Sequence, residues 1–570
     1  MIAISGLWPD KAAYPPGEAV TLSIVIENDA PSSQAAQLTM RVLHLQTVVH
    51  TQEEARTFAP GRTMLTISLH LPPGPFRGYG IDVQVEDTQQ QMLLATRSTA
   101  VDVLNDWTQA PRYGFLADFA PDALEPETAL ESLNRYHINV VQFYDWMWRH
   151  HILMPPDDSQ PYVDALGRHL SLATVRAKAR ACHARNMATM GYAAVYGAEG
   201  EYALEHPDEM LYNAAGEPHS LERIFYIMNT HEGNPWLRQI LPEMARAAAE
   251  VPFDGLHLDQ YGFPHEDAFG PPPESRHYDL AADFQAFIGK ARAAIQLPTA
   301  EKRVIFNAVD NWPIEAVADT EQDALYIEVW PPYEHYCDLQ YLVRNAHQLE
   351  PAKQVIIAAY MKPLKTCAPE SYAEAEAAVR LVSATLWANG GFHLLLGERD
   401  AALQDAYYPD YVSLTPAFAE VMRRYYDFHV RYENLLSDRR MRPQEDTRVV
   451  IDGAPSSTTG EAGAIWTIAR AMEGWRTVSL INLMSASDTR WNVPAAVPRP
   501  LTDLLVRVRL DAQEVVVAVF CASPDGDGRP LALPFSVQKQ DGVAWVETRV
   551  PRLEFWQVLA LETRPRADPA

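Results

Sequence analysis

Two carboxylates end two strand-like apolar runs: Asp259 in Phe253-Asp-Gly-Leu-His-Leu-Asp259 and Glu328 in Ala324-Leu-Tyr-Ile-Glu-Val-Trp330. Side chains alternate faces along a strand. Leu256 and Leu258 therefore share one face and leave His257 and Asp259 on the other, while Leu325, Ile327 and Val329 oppose Tyr326, Glu328 and Trp330. Two carboxyl groups meeting at one rim suit glycosidic bond cleavage, and a retaining enzyme needs them roughly 5 to 5.5 Å apart. An isolated Asp at a strand end is as readily a rim ion pair or a helix cap, so the pairing carries the reading. Asp254, at the far end of its run, reads as a structural turn or capping residue.

Aromatic residues crowd the same strand ends: Tyr144, Trp146, Trp148, Tyr196, Tyr261, Trp312, Trp330, Tyr333 and Tyr360. Aromatic faces stack on the apolar faces of sugar rings while amides and carboxylates bind hydroxyls. In a chain with 13 Trp and 25 Tyr, part of this set is core. Tyr144, Trp146, Tyr196, His257, Tyr261, Trp330 and Tyr360 are taken as the sugar-contacting positions.

The element pattern explains how such residues would converge. Strand-like runs alternate with amphipathic stretches at 112–118, 139–145, 188–194, 253–259, 303–309, 324–330, 354–360 and 391–397, with helices such as 235–250, 369–388 and 415–436 falling after the third, seventh and eighth. Eight such units fit a (β/α)8 barrel, whose active sites lie at the C-terminal strand ends. Short alternating runs with Pro/Gly turns, as at 15–17 and 72–75, precede this region. Further runs at 477–483, 504–510 and 514–520 follow it. The expected organisation is an N-terminal immunoglobulin-like β-sandwich over 1–108, a TIM barrel over 109–438 and an antiparallel β-domain, also read as a sandwich, over 439–570. The fold class is thus multidomain, α/β with all-β.

Three segments resemble glycoside hydrolase family 66, the dextranases and cycloisomaltooligosaccharide glucanotransferases: Gln142-Phe-Tyr-Asp-Trp-Met-Trp-Arg-His150, Phe253-Asp-Gly-Leu-His-Leu-Asp-Gln-Tyr-Gly262 and Tyr326-Ile-Glu-Val-Trp330. The likeness extends over the whole chain, including an opening segment like Asp10-Lys-Ala-Ala-Tyr-Pro-Pro-Gly17. It implies Asp259 as nucleophile and Glu328 as general acid/base, and contacts to an α-1,6-glucan such as dextran at Tyr144, Asp145 and Asn307. On its residues alone, Asp145 could instead anchor Arg149 or His150. Glu328 must start protonated, and burial beside Tyr326 and Trp330 together with the charge of Asp259 would raise its pKa. The cyclising members resemble the hydrolases but carry an inserted carbohydrate-binding module after the seventh strand. About thirty residues separate Tyr360 from Gly391, room for a loop and one helix. Endo-hydrolysis to isomaltooligosaccharides is therefore expected, with cyclic transfer, another α-glucan substrate or glycan binding without turnover as the alternatives.

Composition narrows the partners. A formal net charge of −27 repels nucleic acid and anionic membrane, which both require basic patches, and favours a neutral substrate. Cys182, Cys337, Cys367 and Cys521 form no CxxC pair. Asp525-Gly-Asp-Gly lacks the later Glu of a calcium loop and reads as a hairpin turn. His150-His151 lacks zinc-protease spacing, and there is no nucleotide or Ser-hydrolase fingerprint. No cofactor and no metal are expected, and the chain is expected to act as a monomer. The N-terminus has no basic stretch followed by an apolar run. A cytoplasmic protein and a secreted one with its leader removed both fit that reading.

Overall fold

The computed structural model describes residues 2–565 apart from 73, 75, 89, 124, 274, 512–513 and 541–542; the turn expected at 72–75 falls partly outside them. Strands Ile2–Pro9, Ala19–Asn28 and Gly61–His70 form one antiparallel sheet. Thr47–Phe58, Gln34–His44, Phe76–Asp87 and Leu93–Leu104 form a second. Alternation sends Leu22, Ile24, Leu38, Met40, Ile81 and Val83 inward, where they make one buried core.

A parallel sheet follows, with strands β1 Tyr113–Leu116, β2 Val140–Phe143, β3 Ala188–Ala194, β4 Gly255–Asp259, β5 Arg303–Val309, β6 Ala324–Glu328, β7 Val355–Ala358 and β8 Phe392–Leu394. They pair in chain order, and the sheet curls until Phe115 of β1 bridges Gly397 just beyond β8, with Phe115 N donating to Leu396 O. The helices α1 Leu172–His183, α2 Trp236–Glu250, α3 Leu280–Ile295, α4 Tyr336–Leu349, α5 Tyr372–Ala388 and α6 Pro416–Arg431 cover the outside. Only short turns, such as Ile314–Val317, follow β1 and β5. The helix-facing row of β4 and β6, Leu256, Leu258, Leu325 and Ile327, packs into the outer core. The inner row with Tyr113, Met190, Ile305, Tyr326 and Ile356 fills the barrel. Strands covered on both faces are apolar on both, which is why these runs stand out in the sequence.

Past the barrel, two mainly antiparallel sheets form. One runs from Arg442–Pro443 through Ile465–Met472, Trp475–Asn482, Trp556–Pro565 and Glu514–Ala522; the other holds Val449–Ile451, Leu501–Arg509, Val543–Leu553 and Phe535–Gln540. The Asp525-Gly-Asp-Gly segment lies in the turn joining Glu514–Ala522 to Leu531–Ala532, which pair antiparallel. Asp525 also receives Arg380 and Tyr425 from α5 and α6 at 2.7 and 2.5 Å, which ties this region to the barrel. Among the described residues, no helix is long and apolar enough to cross a membrane.

Candidate active site

Asp259 and Glu328 end β4 and β6, and β5 between them carries Asn307 in the same inward row. The Asn307 side-chain nitrogen donates to Asp259 Oδ1 at 2.7 Å and to Glu328 Oε2 at 2.7 Å. Those two oxygens can therefore stand no further apart than the two bonds laid end to end, about 5.4 Å. Tyr192 on β3 donates to Asp259 Oδ2 at 2.8 Å, and Trp330 Nε1 donates to Glu328 Oε1 at 2.7 Å. Every oxygen of the pair thus receives at least one donor.

Burial raises both carboxyls. Asp259 reaches about 6 because desolvation outweighs the bonds from Tyr192 and Asn307. Glu328 reaches about 7, raised by burial and then by the charge of Asp259, which exceed the bonds from Asn307 and Trp330. Two carboxyls this close titrate as a unit. Glu328 is pushed up by the charge of ionised Asp259, which favours the proton on Glu328.

Both groups open into a cavity of about 680 Å³. Its wall includes Tyr144, Asp145, His257, Tyr261, Asn307, Trp330 and Tyr360. His257 is buried: Tyr113 meets its Nδ1 at 3.0 Å, Tyr192 stacks on it, and burial pushes its pKa to about 3, so the ring is neutral. Asp145 pairs with Arg168 at 3.3 Å rather than with Arg149 or His150, which turn to Glu201 and Glu199 instead. Glu199 receives both His150 and His151, and their hydrogen bonds outweigh its burial, holding it well below the carboxylate range.

Two expected sugar contacts lie outside the cavity wall. Trp146 is fully buried, packs edge-on against Phe253 at 5.0 Å and donates to Tyr192 O at 3.1 Å. Tyr196 is also fully buried and donates to Phe263 O at 2.6 Å. The cause is local. Asp145, with φ of 47°, ends the extended conformation before Trp146, and Tyr196 lies two residues past the end of β3, so strand alternation no longer aims either side chain. Among the other rim aromatics, Trp312 stacks on His265 and Trp148 carries Arg149 on its face.

Tyr192 joins the site from the middle of β3, where its pairing with His257 puts it in the inward row. Tyr408 joins it from outside the strand-end segments. It arrives from the loop after β8, stacks on Tyr144 at 4.2 Å and meets Tyr326 OH at 3.2 Å. Glu222, Ile224 and Phe225 reach the cavity from a small antiparallel sheet inserted after β3.

The sequence model of glycosyl hydrolase family 66 matches residues 9–560. The chain belongs to this family. A family 66 resemblance based on the three strand-end segments thus extends over nearly the whole chain. A cycloisomaltooligosaccharide glucanotransferase of Niallia circulans is 24% identical over 706 residues, covering 98% of this chain and 72% of the relative. A dextranase of Streptococcus salivarius is 24% identical over 583 residues, covering 86% of this chain and 68% of the relative. The fold superposes on a Paenibacillus sp. cycloisomaltooligosaccharide glucanotransferase complexed with cycloisomaltoheptaose, with a TM-score of 0.90 and 22% identity over 98% of this chain and 100% of that one.

Proposed function

We propose that this family 66 chain is a retaining endo-hydrolase of α-1,6-glucan, cutting dextran to isomaltooligosaccharides. The carrying observation is the Asn307 bridge. Its limit of about 5.4 Å between the bonded oxygens is compatible with the roughly 5 to 5.5 Å of retaining enzymes and favours that reading over the roughly 6.5 to 9.5 Å spacing of inverting ones.

In the first step ionised Asp259 attacks the anomeric carbon and forms an ester bond to it. The bond from that carbon to the leaving oxygen breaks, and the proton of Glu328 passes to that oxygen. Esterification removes the charge of Asp259, so the pKa of Glu328 falls and its carboxylate can serve as base. Water then gives a proton to Glu328 and attacks the anomeric carbon, releasing Asp259 with configuration retained.

Cyclic transfer is the second reading, favoured by the names of two of the relatives. Hydrolysis is preferred because the link after β7 holds only two short turns and α5. Dextran, starch, pullulan and α-1,3-glucan should be assayed side by side, with products tested for cyclic isomaltooligosaccharides. Activity confined to dextran with linear products is the expected result; inactivity on dextran overturns the substrate, and cyclic main products overturn the hydrolysis. Asp259→Ala should lose at least about 10⁴-fold in kcat, the scale of removing a nucleophile. Azide should restore turnover of a substrate with an activated leaving group, giving the azide of inverted configuration.

A further inference from the structure

A second cavity, of about 400 Å³, adjoins the first, and Trp330 and Tyr360 line both. It lies within the volume range of ligand sites and is walled by two parts of the chain, the loops after β6, β7 and β8 and the segment 490–493 from beyond the barrel.

This second wall is firmly held. Trp491 Nε1 donates to Tyr333 O at 2.8 Å and its backbone N–H to Glu334 O at 3.0 Å. Tyr336 N donates to Thr489 O at 3.0 Å, and Lys362 N donates to Asn492 Oδ1 at 3.0 Å. The cavity is therefore built into the junction and not left between loosely apposed surfaces.

Its chemistry fits a sugar. Trp330 is 36% exposed, unusual for so large an apolar side chain, and with Tyr333 and Tyr360 it offers aromatic surface. Glu334, Asp405, Lys362 and Arg490 border the same space, so hydrogen-bonding groups of both signs are present without a single-sign field. That balance suits a neutral polyol and not an ionic ligand. The direction follows from Trp330, whose indole nitrogen bonds Glu328. Val329 and Trp330, the two residues that follow Glu328, both line this cavity, so it adjoins the group that gives its proton to the leaving oxygen.

We propose that this cavity binds the leaving-group side of the glucan, so that the C-terminal β-region takes part in substrate binding. The proposal rests on the α-1,6-glucan reading above. The test uses the full chain and compares kcat/KM on a long linear isomaltooligosaccharide with that on an isomaltoside bearing a small aryl leaving group, which cannot span both cavities. Val493→Trp, which fills the cavity, and Arg490→Ala, at an exposed position that leaves folding intact, are the two variants. Each should lower the long-to-short ratio about tenfold. Ratios unchanged in both Val493→Trp and Arg490→Ala, with wild-type enzyme active, overturn the second cavity alone. Wild-type inactivity on every α-1,6-linked substrate overturns both readings.

Discussion

At the scale of single residues, the site is governed by how one amide, one phenol and one indole place their donors on two buried acids. Activity requires Asp259 ionised and Glu328 protonated, so kcat/KM should form a narrow bell, its acid limb near 6 and its alkaline limb near 7. Asn307 lowers both carboxyls through its hydrogen bonds. Asn307→Ala should therefore move both limbs to higher pH and reduce kcat by about 10² or more; an acid limb that stays in place would show that the bridge does not set the protonation state. Glu328 also links stability to pH. Its pKa is about 4.5 when unperturbed and about 7 in the fold, so the folded state binds the proton more tightly. That contribution is complete below 4.5 and is lost as pH rises through 7. Glu328→Gln cannot lose it, so the variant's Tm minus that of wild type should increase from pH 4 to pH 8, as read by thermal melts across that range.

At the scale of elements, the strands position these residues by close backbone pairing, and β4 shows how close. A Cβ on Gly255 would overlap the Arg303 carbonyl of β5 and press on the Met190 side chain of β3. The neighbour preceding it is pinned as well, since Asp254 accepts from Thr189 N at 2.7 Å. Gly255→Ala should cost about 3 kcal/mol or more, the upper end of overpacking, measured as the shift in the urea midpoint. It should also lower activity, because Asp259 is carried by the same strand. The eight strands were legible in the sequence since a sheet covered on both faces writes long apolar runs. The inserted sheet after β3 was not, because strands of two or three residues such as Ser220–Leu221 and Phe225–Ile227 are too short to show a period. Asp259 and Glu328 lie within strands, where alternation aims side chains; beyond the strand ends the pattern carries on to Tyr261, Trp330 and Tyr360 but fails for Trp146 and Tyr196, which turn into the core. Tyr408 comes from a loop whose path only the folded chain reveals.

At the scale of the whole molecule, the N-terminal sheets are joined to the barrel by buried charge rather than by apolar contact alone. Arg431, at the end of α6, donates to Asp82 at 2.8 and 3.2 Å, and both residues are under a tenth exposed. Gly80 permits this approach, because a Cβ there would collide with the guanidinium. The pair is costly to break from one side. Arg431→Met would leave a carboxylate buried with only Ser98, at 2.9 Å, and the more distant Arg529, at 3.5 Å, to support it. The expected loss is about 3 to 5 kcal/mol, the range for uncovering one partner of a buried pair. Arg431→Met with Asp82→Leu removes both charges and should recover most of that loss, since a buried ion pair can often be replaced by apolar side chains at little net cost. Denaturant unfolding of wild type, both single variants and the double variant would close the cycle. A double variant no more stable than Arg431→Met would mean that the pair adds stability of its own beyond mutual charge compensation. In either case kcat measured on the folded fraction should match wild type, because neither residue lines the catalytic cavity.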